Sequence, residues 1–138
     1  MTRLSRSRMT WVAVLLLVAG MLPGCSNRAT IESFTPPEIS AREALEKALT
    51  AWQNGQEKPG VVAGSKPEIR IADERWQNGA RLKSFEIGDA LEDEDDVKFP
   101  VKLTLEGAAA PEEEVYVVVG KNPLWVWTKA EYERSSGM

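Results

Sequence analysis

Of the 138 residues, 17 are Lys or Arg and 21 are Asp or Glu, for a formal net charge of −4, with no histidine and one cysteine. This length suits one domain, and the missing histidine removes the commonest general base near neutral pH and the commonest zinc ligand. A single cysteine forbids an intramolecular disulfide, and no G-x-S-x-G, Walker or dinucleotide-binding glycine pattern occurs, so nucleophilic and nucleotide chemistry lack their usual carriers.

The chain opens with Arg3, Arg6 and Arg8 and no acid, followed by an uncharged run, MTWVAVLLLVAGML, from Met9 to Leu22. A helix of about 14 residues spans about 21 Å, short of the roughly 20 residues needed to cross a ~30 Å hydrocarbon core, so the run suits a signal-peptide core better than a permanent span. Leu22-Pro23-Gly24-Cys25 ends it. This tetrapeptide resembles the lipobox of bacterial lipoproteins, in which a branched apolar residue, a variable small residue and Gly or Ala precede an invariant cysteine. Leu22, Gly24 and Cys25 match that pattern, while Pro23 stands where Ala, Ser or Thr is commoner. The resemblance implies a signal peptide over residues 1–24, cleavage before Cys25, and a diacylglycerol thioether on its sulfur. The protein would then be held at the exported face of the cell envelope, with the membrane as partner through its lipid. The alternatives are an uncleaved short anchor or ordinary secretion, and a small buried cysteine, against which the polar Ser26-Asn27-Arg28 argues. Ser26 rather than aspartate after the cysteine implies, by the same resemblance, the outer membrane where there are two.

Removing residues 1–24 takes away three basic residues and no acid, leaving 114 residues with 14 basic and 21 acidic side chains, a formal charge of −7. That surface argues against nucleic acid as a partner and against electrostatic adhesion to anionic lipid. Residues 25–38 read as the lipidated cysteine and a tether, since the stretch is polar and Pro36-Pro37 prevents a helix running through it. A single domain is expected over 39–132, with a flexible tail at 133–138.

Ser40-Ala41-Arg42-Glu43 has the form of a capping box, with Ile39 and Ala44 placed for a hydrophobic staple. Ala41, Ala44, Leu45, Ala48, Leu49 and Trp52 then fall at i, i+3, i+4, i+7, i+8 and i+11, one stripe of an amphipathic helix over about 41–53 that Asn54-Gly55 closes. Residues 55–67, with three glycines and two prolines, read as a loop. Strands are expected at 67–71, with Ile69 and Ile71 inward, and at 81–87, where the phase slip between Leu82 and Phe85 signals a bulge. Residues 97–105 alternate strictly, and Pro100, which donates no ladder bond, belongs at an edge or a non-bonding position. Residues 115–119 and 124–128, joined by the turn Gly120-Lys121-Asn122-Pro123, complete the set.

The expected fold is therefore α+β, one amphipathic helix packed across a curved antiparallel sheet of four to five strands. This element order resembles the cystatin-like and NTF2-like folds, and Trp76, Gly79 and Leu82 echo them in a W-x-x-G-x-x-L spacing. NTF2-like folds host catalytic pockets, which would draw here on Asp73 or Asp89 with Tyr116 as donor.

Three features of the domain bear on function. The acids Glu92 to Asp96 and Glu112 to Glu114 lack the spacing and central glycine of a calcium loop and read as solvated, so no metal or cofactor is expected. Trp125 and Trp127 alternate onto one sheet face; exposed, they make a docking platform for protein, peptide or glycan, and otherwise they pack under the helix or in the hollow of the sheet. Trp76 and Tyr116 join them as candidates for a binding surface or pocket. Trp-Gln-Asn-Gly occurs at both 52–55 and 76–79, and an apolar anchor before an Asn-Gly turn explains each copy locally. The function expected is a non-catalytic binding or interaction module; the alternative is a small-molecule pocket protein of NTF2-like type, enzymatic in its strongest form.

Overall fold

The computed structural model describes residues 35–92 and 96–137; Cys25, the lipobox and the centre of the first acidic run lie outside them. The helical stripe forms as expected: Ala41, Ala44, Leu45, Ala48, Leu49 and Trp52 are all buried on one side of α1 (Glu38–Gln53). The helix begins earlier than the capping box implied. Pro37 is its N-cap and supplies no side-chain cap, but its carbonyl accepts from the Ala41 N–H at 2.9 Å. The proline ring already holds φ at −60°, and its missing N–H costs nothing at a helix start. Ser40 thus lies inside the helix, and Ile39, 74% exposed, forms no staple.

After α1 the chain forms β1 (Gly60–Val61), β2 (Ile69–Ala72), the one-turn helix α2 (Glu74–Gln77), β3 (Leu82–Ile87), β4 (Val97–Leu105), β5 (Glu112–Gly120), β6 (Leu124–Thr128) and α3 (Lys129–Ser135). The sheet is mixed and has six strands in the order β1-β2-β6-β5-β4-β3, curled around the main helix. Two features differ from expectation. The short β1 lies within the segment read as a loop, paired antiparallel with β2, and β2 runs parallel to β6, with Ile69 opposite Leu124 and Ala72 opposite Trp127. The parallel pair arises because α2 interrupts the chain after β2 and delivers β3 to the far edge, leaving β2 beside the last strand.

Local irregularities fall where the sequence placed them. The β3–β4 register shifts between Leu82 and Ser84. Pro100 faces the end of β3: its carbonyl accepts from the Gly88 N–H at 2.8 Å, one residue past the strand, so the absent donor breaks no ladder. β5 begins at Glu112, earlier than its apolar run, and residues 133–135, read as tail, close α3, whose first turn is capped by the Thr128 hydroxyl accepting from the Glu131 N–H. The sequence hid α3 because it carries no apolar stripe and buries no residue.

Alternation along the strands directs Ile69, Ile71, Phe99, Val101, Leu103, Tyr116, Val118, Leu124 and Val126 toward α1, and these join Leu45, Leu49 and Trp52 in one buried cluster. Each large side chain so buried contributes about 1.5–3 kcal/mol relative to exposure. Three alanines on the stripe let α1 lie close to the sheet. Arg42 ties the helix to the end of β3: its guanidinium donates to the carbonyls of Ile87 and Gly88, each at 2.9 Å, and lies 5.7 Å from the centre of the Phe99 ring. Among the described residues no helix is long and apolar enough to cross a membrane.

Candidate functional site

The two Trp-Gln-Asn-Gly segments end α1 and α2 in the same way. Gly55 at φ 101° and Gly79 at φ 97° take the left-handed conformation beyond Asn54 and Asn78. The following residue closes each end, Gln56 N–H to Ala51 carbonyl and Ala80 N–H to Arg75 carbonyl, both at 3.0 Å, with each glycine N–H donating to its own tryptophan carbonyl. Both ends are Schellman motifs. The two then face one another: Trp52 and Trp76 stack with centroids 5.2 Å apart and planes 4° from parallel. The Trp52 indole N–H donates to the Ala80 carbonyl at 2.8 Å, and the Trp76 indole N–H donates to the Gln56 carbonyl at 2.9 Å. Each indole thus reaches the residue just past the other copy's glycine. Local physics explains each copy, and the fold adds a reciprocal clasp between them. Trp76 is 1% exposed and is a core residue rather than part of a binding surface.

Asp73 and Tyr116 do come together. Asp73 is the N-cap of α2, accepting from the backbone N–H groups of Arg75 at 2.9 Å and Trp76 at 3.4 Å, while its other oxygen accepts from the Tyr116 hydroxyl. Both side chains are buried, at 2% and 0% exposure. Burial pushes the Asp73 carboxyl above its ordinary range, against the hydrogen bonds from Tyr116 and the Trp76 backbone that favour its charge. Burial also raises the Tyr116 hydroxyl well above its ordinary value, and the adjacent Asp73 charge adds to this. Beside them Arg75 donates to Glu114 at 2.6 Å and to Glu112 at 3.1 Å; burial opposes its charge, but these two carboxylates hold its pKa above the ordinary value. Two acids of the second acidic run are therefore partners of Arg75, and nothing in the sequence singled Arg75 out. Asp73 also borders a surface hollow of about 370 Å³ with Gly60, Glu74 and Glu131. The Asp73 oxygens are both occupied by protein donors and Tyr116 is fully buried, so the pair serves as a cap and a buried anchor. Asp89 is exposed and stands apart from it.

The tryptophan pair on β6 has a different setting. Leu124, Val126 and Thr128 are buried toward α1, which sends Trp125 and Trp127 to the opposite face, each half-buried. Their rings stack, with centroids 5.0 Å apart and planes inclined by 20°. The Arg70 guanidinium lies 5.4 Å from the Trp125 ring centre and pairs with Glu68. Register places Arg70 and Val119 beside Trp125, and Ala72 and Val117 beside Trp127. Val117 is fully buried yet lies on this second face; both α1 and α3 pack against its strand, and α3 also packs against β6. The tryptophans therefore occupy a partly covered second face, neither under the main helix nor fully open. A surface hollow of about 440 Å³ lies farther along, lined by Pro100, Lys102, Glu113, Val115 and Lys129 among others. Among the described residues no cluster of three or more potential metal ligands occurs. No family model, curated protein or solved structure matches the chain.

Proposed function

We propose that this is a lipid-anchored envelope protein, attached through Cys25, whose α+β domain is a non-catalytic binding module that meets a protein, peptide or glycan with the Trp125–Trp127 face. The observation that carries this reading is the contrast between the two faces of the sheet. The face under α1 is filled by buried side chains, where the small-molecule alternative needs its cavity. The opposite face keeps a stacked indole pair with an arginine against it, half-exposed and able to offer ring edges and a cation to a partner. The engagement of both Asp73 oxygens also favours binding over proton transfer. A helix laid across a curled sheet is consistent with the cystatin-like or NTF2-like relationship, which belongs to this proposal.

Two measurements test it. Cells fed a labelled fatty acid should mark the wild-type chain and not Cys25→Ala; an unlabelled wild-type chain overturns the anchor. Affinity capture from solubilised envelopes should retain a protein or glycan that the double variant Trp125→Ala/Trp127→Ala loses while its melting transition stays cooperative. Identical capture by both overturns the assigned face.

A further inference from the structure

The end of the domain where the chain enters carries a second feature, unrelated to the tryptophans. A pocket of about 250 Å³ lies between the start of α1, the segment before β2 and the β5–β6 turn. Pro36, Ile69 and Leu124 form part of its apolar wall, and all three are buried. Lys47, Lys66 and Lys121 surround it, all exposed, with Glu43 as the carboxylate in its lining. Among the described residues none of these three lysines has an ion-pair partner. Ile39, the most exposed large hydrophobic side chain among the described residues, stands in the first turn of the same helix.

We infer that this end of the domain docks on an anionic membrane surface, with the phosphate of a lipid headgroup seated among Lys47, Lys66 and Lys121. Cationic rim, apolar wall and an exposed isoleucine together match the headgroup–acyl boundary of a bilayer. The chain-entry position fits: ten peptide steps separate Cys25 from Thr35, a contour of at most about 35 Å, so an anchored domain keeps this end within reach of the surface. The net negative charge of the mature chain argues against adhesion by the surface as a whole, but charges farther than about 8–10 Å are largely screened at physiological salt, so the three lysines grouped at this end dominate at contact. The inference rests on the anchor proposed above.

The test uses the membrane-extracted protein, reconstituted into phosphatidylcholine vesicles with and without phosphatidylglycerol, and reads the rate of lysine acetylation residue by residue. Near a charged surface each lysine gains about five-fold in local affinity, so Lys47, Lys66 and Lys121 should be acetylated several-fold more slowly on the anionic vesicles. High salt should remove the protection, Lys83 and Lys102 should not change, and K47Q/K66Q/K121Q should abolish the salt-sensitive component. Equal rates on both vesicles overturn the inference. Protection by inorganic phosphate without vesicles also overturns it, assigning the pocket to a free anion, and protection already present in detergent assigns it to the chain preceding Thr35. Flotation with phosphatidylcholine alone reports the anchor separately: a chain that fails to float refutes lipidation, while the comparison on anionic vesicles still decides the lysine site.

Discussion

Replacing Trp52 by Phe keeps an aromatic face against Trp76 and deletes one donor. The lost bond is the 2.8 Å contact from the indole N–H to the Ala80 carbonyl, in a side chain that is 3% exposed. A net hydrogen bond contributes about 0.5–1.5 kcal/mol. The smaller ring gives up about 40 Å² of buried apolar surface, about 1 kcal/mol more at ~25 cal/mol per Å². The expected cost is about 1.5–2.5 kcal/mol, or a fall in melting temperature of roughly 6–20 °C for a domain of this size. Because the Trp76 N–H reaches the Gln56 carbonyl in the reciprocal way, Trp76→Phe should cost the same within about 0.5 kcal/mol. Each bond holds the other copy's carbonyl in place, so the double variant should cost less than the sum of the singles, by about 0.5–1 kcal/mol. Urea titration followed by circular dichroism measures all four chains. Additivity within about 0.3 kcal/mol, or single costs differing by more than about 2 kcal/mol, would show that the two ends are stabilised independently and refute the clasp.

The raised Asp73 carboxyl gives a pH dependence of definite sign. Its folded pKa lies above the unfolded value of 3.8, so the folded state binds more protons between the two, and stability is fully present below 3.8 and lost as pH rises through the folded pKa. Asp73→Asn keeps an effective cap without the titration, so the stability of wild type relative to this variant should decline from pH 4 toward neutrality; a pH-independent difference in urea titrations would contradict the assignment. Asp73→Ala removes the cap and leaves the Tyr116 hydroxyl without its acceptor, at a cost of about 2–4 kcal/mol by chemical denaturation, and a change below 1 kcal/mol would deny the network a structural role. Gly55→Ala meets no atom within 4 Å and bears only the strain of φ 101°, about 1–2 kcal/mol. Gly120→Ala adds to similar strain a Cβ placed 2.6 Å from the Pro123 carbonyl oxygen, so it should lower the melting temperature clearly further, and the reverse order would show that the β5–β6 turn relaxes freely.

The amino-acid sequence determined the main helix, the longer strands and their facing, while β1, α2 and α3 were not legible in it. Small and apolar residues at helical spacing can lie only on one side of α1, and strict alternation from Val97 to Leu105 can bury only one face of β4, so both were legible without any partner. The bulge near Leu82, the glycine-closed end of α1 and the non-bonding position of Pro100 were legible for the same reason, each arising from backbone geometry within a few residues. The likeness of Leu22 to Cys25 to a lipobox is a reading of the sequence alone and lies outside the described residues.

Tertiary structure decided what depends on which distant segments meet. The parallel union of β2 with β6, against the antiparallel sheet expected, follows from a single helical turn at Glu74–Gln77 whose cap, Asp73, finds Tyr116 43 residues away. It also turned two copies of one tetrapeptide into a reciprocal pair, and assigned Trp76 to the core while leaving Trp125 and Trp127 half-exposed. Net charge, summed over the chain, concealed three lysines gathered at the end where the domain begins. Composition and periodicity report local preference, whereas hydrogen bonding, burial and charge at a site depend on strand order, which only the folded sheet specifies.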